Sequence, residues 1–168
     1  ICASVVGNGY KAALMAPTEL LAEQHHKTLS TWFDPLKIDT MLLTGKLNSV
    51  EKEAIYKKIN SDRPLIIVGT HALFQKQAKF KKLGLIIIDE QHRFGVEQRE
   101  ALLNKSRSRN LHAHQLLMTA TPIPRTLAMT AYSQLDISTL RHLPKGRKRV
   151  ATHVTADTRR DKIVRRIG

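Results

Sequence analysis

The chain is poor in cysteine and in acid. Its single cysteine, Cys2, excludes an internal disulfide and suits a reducing compartment. Asp and Glu total 14 against 28 Lys and Arg, a net charge of +14. That imbalance favours a polyanionic partner, nucleic acid or an acidic membrane surface, while charge alone also allows the plainer reading of a solvated basic face. No apolar run is long enough to span a bilayer, so membrane-spanning classes are excluded as an expectation. The sequence opens at Ile1 without a signal-peptide pattern, and a stretch of a longer, cytoplasmic polypeptide is expected. What is present is an ordinary globular composition, 42% hydrophobic over 168 residues, enough for one domain with a real core.

Apolar runs alternate with helical patterns. Ala12 to Ala16 reads as a buried strand, broken by Pro17 and by Thr18, which is placed to cap a helix. From Glu19 to Phe33, Leu21, His25, Leu29 and Trp32 share one face, and Glu23 and Lys27 form a favourable pair. Strands are predicted at Ile38 to Leu43, Leu65 to Val68, Leu85 to Ile88 and Leu116 to Met118. Helices are predicted after the capping box Asn48–Glu51, at Val96 to Leu103 and at Thr126 to Leu135. Strands covered by apolar residues on both faces, alternating with helices, argue for an α/β fold with a parallel sheet. From Arg141 the composition changes, with ten basic residues against two acidic. The chain is therefore divided into a domain over 1–140 and, over 141–168, a linker with a strand near Val150 to Val154 that opens a second domain.

In parallel sheets ligands lie at the carboxyl ends of strands. Thr18, Thr44, Thr70, Asp89-Glu90 and Thr119 all follow predicted strands. Four apolar residues running into Asp89-Glu90 make a Walker B pattern. Mg²⁺ is usually held by one or two carboxylates, water and phosphate oxygens, a role that suits Asp89 acting through water. A neighbouring carboxylate orients and deprotonates an attacking water, a role for Glu90. Alone, the pattern is weak, because strands often end in acids where they reach solvent.

The context is more specific. Asp89-Glu90-Gln91-His92-Arg93-Phe94-Gly95-Val96 resembles motif II of the RecG helicase family. Met15-Ala16-Pro17-Thr18-Glu19-Leu20-Leu21-Ala22-Glu23-Gln24-His25 resembles its motif Ia. Leu42-Leu43-Thr44-Gly45-Lys46 and Val68-Gly69-Thr70-His71-Ala72-Leu73 resemble its two intermediate motifs, and Met118-Thr119-Ala120-Thr121-Pro122-Ile123-Pro124-Arg125-Thr126 resembles motif III. The transcription-repair coupling translocase shares several of these stretches but typically has Glu where this chain has Gln91. Gln91, motif Ia and Thr-His-Ala-Leu favour the RecG family.

The resemblance implies a RecA-like P-loop motor domain and a bacterial, nucleoid-associated ATP-dependent DNA helicase or translocase. That family remodels branched or duplex DNA, stalled forks and Holliday junctions among them, in recombination and repair. It implies ATP and Mg²⁺ as cofactors. Asp89 and Glu90 would be catalytic, with Asp89 as the Mg²⁺ residue; Asp89, Glu90, Gln91 and His92 would face the nucleotide. Thr119, Ala120 and Thr121 would couple its state to DNA, and Pro17, Thr18, Thr44, Gly45, Gly69 and Thr70 would lie on the DNA side. Small residues and hydroxyls let phosphates approach a backbone closely without reading sequence.

The chain departs from the family in one respect: no G-x-x-x-x-G-K-[ST] phosphate loop occurs in it, and Gly7-Asn8-Gly9 reads only as a turn between helix and strand. That loop is expected to precede Ile1, so the isolated chain is expected to be inactive. In related motors the strand feeding that loop lies beside the motif III strand. Leu116–Met118 is therefore expected to be an exposed edge, or one patched by N-terminal residues, by the strand near Val154, or by a second copy in an edge-strand dimer. The alternative classes are the transcription-repair coupling motor and a non-catalytic basic nucleic-acid-binding module. Eight histidines form no zinc pattern with cysteines or carboxylates, so no histidine metal site is expected. Trp32-Phe33 reads as core at a helix end. Lys76, Lys79, Lys81 and Lys82, and Lys105, Arg107 and Arg109, suit either DNA contact or a solvated loop face.

Overall fold

A computed structural model describes residues 1–95, 112–121 and 136–140, together with 146, 152, 154, 156, 158, 160, 164 and 165. The chain divides into two compact units, Ile1–Ile123 and Pro124–Gly168. The helices expected at Val96 to Leu103 and Thr126 to Leu135 lie outside the described residues; of the strand expected near Val150 to Val154 only Thr152 and Val154 are described, neither of them in a strand.

The first unit is a five-stranded parallel sheet. Its strands are β1 Lys11–Met15, β2 Thr40–Leu43, β3 Ile66–Gly69, β4 Leu83–Ile88 and β5 His114–Leu117, in the order β2-β3-β1-β4-β5. Helices α1 Cys2–Gly7, α2 Glu19–Phe33 and α3 Ser49–Ile59 fill the connections, with short 3-10 turns at Asp34–Leu36, His71–Phe74 and Gln91–Arg93. The five strands predicted between Ala12 and Met118 are present, with one or both ends moved by a residue or two. The expectation of a parallel sheet between helices holds.

Alternation along each strand sends side chains to two cores. Ala12, Leu14, Ile66, Val68, Leu85 and Ile87 meet Ala22, Leu29 and Phe33 of α2 on one face. Ala13, Met15, Ile67, Ile86 and Ile88 meet Ile59 of α3 on the other, with Ile55 and Tyr56 alongside. Burial on both faces explains why β1 and β3 read as unbroken apolar runs. The caps form as the sequence implies: Thr18 accepts from the Leu21 N–H, and Asn48 and Glu51 close a capping box on α3.

Two expectations for α2 are corrected. Trp32 is 62% exposed, while Ala22, Leu29 and Phe33 are buried. At 3.6 residues per turn the buried stripe centres on 22, 29 and 33, and Trp32 falls roughly 80° from it. The Glu23 carboxylate faces Lys46 at 3.6 Å rather than pairing along the helix with Lys27.

Nothing in the sequence around Lys11 signals burial, yet it is fully buried at the start of the central strand. Its ammonium donates to the Ser61 and Lys81 carbonyls, which tie two loops to the amino end of β1. Burial pushes its pKa down, against the attraction of Asp62.

Strand β5 is bonded to β4 from Leu85↔His114 to Ile88↔Leu117. Among the described residues nothing pairs its other side, and His114 and Gln115 are exposed. The described sheet therefore ends at an open edge there.

Candidate active site

The strand order places a crevice between β1 and β4. The chain leaves β1 for β2 on one side and leaves β4 for β5 on the other. Connections diverging from neighbouring strands open a gap at their carboxyl ends, the usual ligand position in such sheets. Asp89 sits at that gap, its N–H bonded to the Met15 carbonyl at the end of β1 at 2.9 Å.

Glu90 follows in the left-handed region, φ 49° and ψ 51°. A residue with a Cβ adopts that conformation at a cost, of order 1–3 kcal/mol, that persists mainly where the surroundings fix it. The kink turns β4 into the 3-10 turn at Gln91–Arg93, and the two acids meet different neighbours. Asp89 Oδ2 is 2.7 Å from His25 Nε2 of α2. Glu90 Oε2 lies on the β5 side, 3.3 Å from the Thr119 hydroxyl and 3.4 Å from the Ala120 N–H.

The Thr119 hydroxyl has one proton and several neighbours. It accepts from the Thr121 N–H at 3.2 Å, which leaves its proton for Glu90 Oε2. His92 Nδ1 stands 3.4 Å from Glu90 Oε2, 3.5 Å from Thr119 Oγ1 and 3.4 Å from Thr121 Oγ1. Gln91 is joined to the next strand through its backbone, its N–H meeting the Met118 carbonyl at 3.3 Å. Its side chain is buried, and Oε1 has no partner among the described residues. Asp89, Glu90, His92, Thr119, Ala120 and Thr121 thus form one cluster, with Gln91 beneath it.

The six residues expected on the DNA side lie along the same rim, at the ends of β1, β2 and β3. Pro17 is half-buried, and Thr18 and Gly45 are exposed. Thr44 and Thr70 are 2% and 3% exposed, and Thr70 Oγ1 has no partner among the described residues. A Cβ at Gly69 would stand 2.4 Å from the Leu43 carbonyl, so close strand approach requires glycine there. The turn at Gly45 is braced: Lys46 reaches Glu19 at 3.3 Å, and Lys52 donates to the Gly45 carbonyl at 2.8 Å. The two carboxylates draw the Lys46 pKa upward, the hydrogen bond to Glu19 first.

In sequence His25 belongs to the expected buried face of α2 and to the motif Ia stretch, and nothing there pairs it with Asp89. A polar residue in an apolar stripe is the local signal, but no single sequence says which element faces it. Lys46 stands in the sequence only as part of a motif.

Hard carboxylate oxygens suit Mg²⁺. Among the described residues no group of three His, Cys, Asp or Glu side chains could hold a metal. Asp89 therefore fits a cation whose remaining ligands are water and phosphate, and the described residues offer no cage of protein ligands alone. Among the described residues no helix is long and apolar enough to cross a membrane.

Comparison with known proteins adds the family. Residues 1–130 match the model of the DEAD/DEAH box helicase family. The chain is 53% identical over 162 residues to the ATP-dependent DNA helicase RecG of Escherichia coli K12, covering 96% of this chain and 23% of that protein. It is 49% identical over 164 residues to the RecG of Haemophilus influenzae, covering 98% of this chain and 24% of that one. Among solved structures, RecG bound to a three-way DNA junction superposes with a TM-score of 0.78 at 36% identity, covering 99% of this chain and 22% of that one. The crystal structure of T. fusca Cas3 shares the fold alone, with a TM-score of 0.55 at 18% identity over 77% of this chain and 17% of that one. The chain spans about a quarter of the length of the curated relatives it matches.

Proposed function

The chain belongs to the DEAD/DEAH box helicase family, and we propose that it forms most of the first motor domain of an ATP-dependent DNA helicase of RecG type. The observation that carries this is the Glu90 carboxylate, held by Thr119 and Ala120 just beyond β5 while Asp89 stands at the crevice between β1 and β4. A merely basic binding module has no use for two organised acids in a chain of net charge +14.

When bound, Mg²⁺ and ATP would supply the reactive phosphorus and the charge that activates it. Asp89 would present its Oδ1, because His25 engages Oδ2. Glu90 would take a proton from water at Oε1, since the Thr119 and Ala120 bonds fall on Oε2. Loss of the Thr119 bond or movement of β5 would shift the base, which is the sense in which Thr119, Ala120 and Thr121 couple the two sites. No phosphate loop occurs within these 168 residues, so in this reading the isolated stretch neither binds ATP tightly nor hydrolyses it. The whole protein does both, on branched DNA as the junction-bound relative suggests. Pro17, Thr18, Thr44, Gly45, Gly69 and Thr70 would line the DNA side. The change of composition at Arg141 would begin the second motor domain. In the whole protein the open edge of β5 would take the strand that feeds the phosphate loop; in the isolated stretch it is the edge through which two copies could pair.

The test is Glu90→Gln in the whole protein that carries this sequence. Hydrolysis stimulated by branched DNA should fall roughly 10²-fold or more, with ATP and DNA binding retained. Near-normal turnover would remove Glu90 as base and, with it, this reading of the site.

A further inference from the structure

The acid at the crevice is not free. His25 Nε2 lies 2.7 Å from Asp89 Oδ2, a length typical of hydrogen bonds to a charged oxygen. The two side chains are 31% and 18% exposed, so the bond is only partly open to solvent. His25 sits at the edge of the α2 stripe formed by Ala22, Leu29 and Phe33, which anchors the helix on the sheet. The first turns of the same helix are held from another side, where Glu19 and Glu23 meet Lys46 at 3.3 and 3.6 Å. Glu23 and Glu19 lie about 3 and 9 Å from His25 along the axis, at 1.5 Å per residue. The imidazole is thus borne by an element fixed at both its buried stripe and its amino end.

We propose that His25 is a positioning residue for Asp89, fixing the carboxylate so that Oδ1 alone faces the crevice and the metal of the nucleotide. The inference rests on the motor reading above. A carboxylate left to rotate about its terminal torsion presents either oxygen, and a partner bonded to one of them removes that freedom. Groups that hold a metal-binding carboxylate through hydrogen bonds typically change metal affinity by 10–100-fold when removed. With a proton on Nε2, the ring donates to Oδ2 whether it is neutral or charged. The helix that carries it begins at Thr18, so the residue facing the acid and the residues expected to face DNA share one rigid element.

The experiment compares His25→Ala and His25→Gln in the whole protein. Two quantities are read: the Mg²⁺ concentration at half-maximal hydrolysis, and the affinity for Mn²⁺ with a non-hydrolysable ATP analogue, by electron paramagnetic resonance. His25→Ala should raise the Mg²⁺ midpoint and weaken Mn²⁺ binding by at least about tenfold. Its maximal rate at saturating Mg²⁺ should fall much less, and its thermal midpoint should move little. His25→Gln keeps an N–H donor and should recover most of the loss. An unchanged Mg²⁺ midpoint in His25→Ala overturns the proposal. So does a His25→Gln variant as weak as His25→Ala with a matching loss of thermal stability, which would make the bond structural only. Glu90→Gln separates the two claims: normal turnover in that variant defeats the motor reading, whereas lost turnover with an unshifted His25→Ala midpoint defeats only this inference.

Discussion

The two halves of the sheet's carboxyl rim use similar short polar runs to opposite ends. At β4 and β5 the polar groups meet one another: Glu90 takes the Thr119 hydroxyl and the Ala120 N–H, and His92 stands against both Thr119 and Thr121. At β2 and β3 the hydroxyl-bearing residues are sealed in, with Thr44 and Thr70 only 2% and 3% exposed. Thr70 N–H bonds the Leu43 carbonyl, while its side-chain oxygen has no partner among the described residues. A threonine after a strand is thus given its chemistry by the neighbouring strand. Beside a carboxylate it orients an acid; beside a closely packed backbone it is enclosed. The first half is a network of polar groups and the second a tight backbone approach.

The largest expected effect tests the tightness of the second half. In Gly69→Ala the new Cβ would meet the Leu43 carbonyl at 2.4 Å and Leu73 Cγ at 3.0 Å. A backbone oxygen within a parallel ladder cannot swing aside as a flexible side chain can, so β2 and β3 must separate locally. Overpacking usually costs about 1–3 kcal/mol, and this substitution should lie at or above the upper end. Urea unfolding should show a lower midpoint at similar slope. An unchanged midpoint would mean that the strands part easily and that the glycine is there for another reason.

The legibility of the sequence divides along the same line. The parallel sheet could be read because β1, β3 and β4 are buried on both faces and leave unbroken apolar runs. The α2 boundaries followed from Thr18 as a cap, and α3 from the Asn48–Glu51 box, since local hydrogen bonds are written in local sequence. Asp89 and Glu90 could be read as acids at a strand end. Nothing local could show that one would meet α2 and the other β5, because the divergence comes from the left-handed backbone at Glu90 and from strand order. The contact of His25 with Asp89 is illegible for that reason. A loose apolar count hides the stripe edge that leaves Trp32 exposed, and the burial of Lys11 depends on carbonyls 50 and 70 residues away.

The next effect tests whether the first half is a working network. Thr119→Val keeps shape and removes the proton that Glu90 Oε2 receives at 3.3 Å. A hydrogen bond to a charged group is worth about 1.5–3 kcal/mol net, so turnover of the whole protein should fall about tenfold or more. Thr119→Ser should keep most of the rate, and melting temperature should change little because the site is at the rim. Equal rates for valine and serine would show that Glu90 is held by the Ala120 N–H and the backbone kink without Thr119.

The smallest effect in stability carries an unusual sign. Thr70→Val exchanges a buried hydroxyl, without a partner among the described residues, for a methyl of nearly the same shape. Leaving a buried polar atom unsatisfied costs about 1–3 kcal/mol, and removing both the atom and the cost should leave the fold equally stable or slightly more so. A polar atom enclosed without a partner is either a plain cost of the sequence or a donor reserved for a ligand. If Thr70 belongs to the DNA side, the valine variant should bind branched DNA more weakly while melting at the same or a higher temperature. The loss should be uniform across DNA sequences, as expected for a phosphate contact. Measured together by differential scanning fluorimetry and by anisotropy at fixed salt, the two responses should move in opposite directions. A drop of more than about 1 kcal/mol in stability would show that the hydroxyl has a structural partner after all. Unchanged affinity would take Thr70 off the DNA side and leave it as enclosed backbone support for the close contact between β2 and β3.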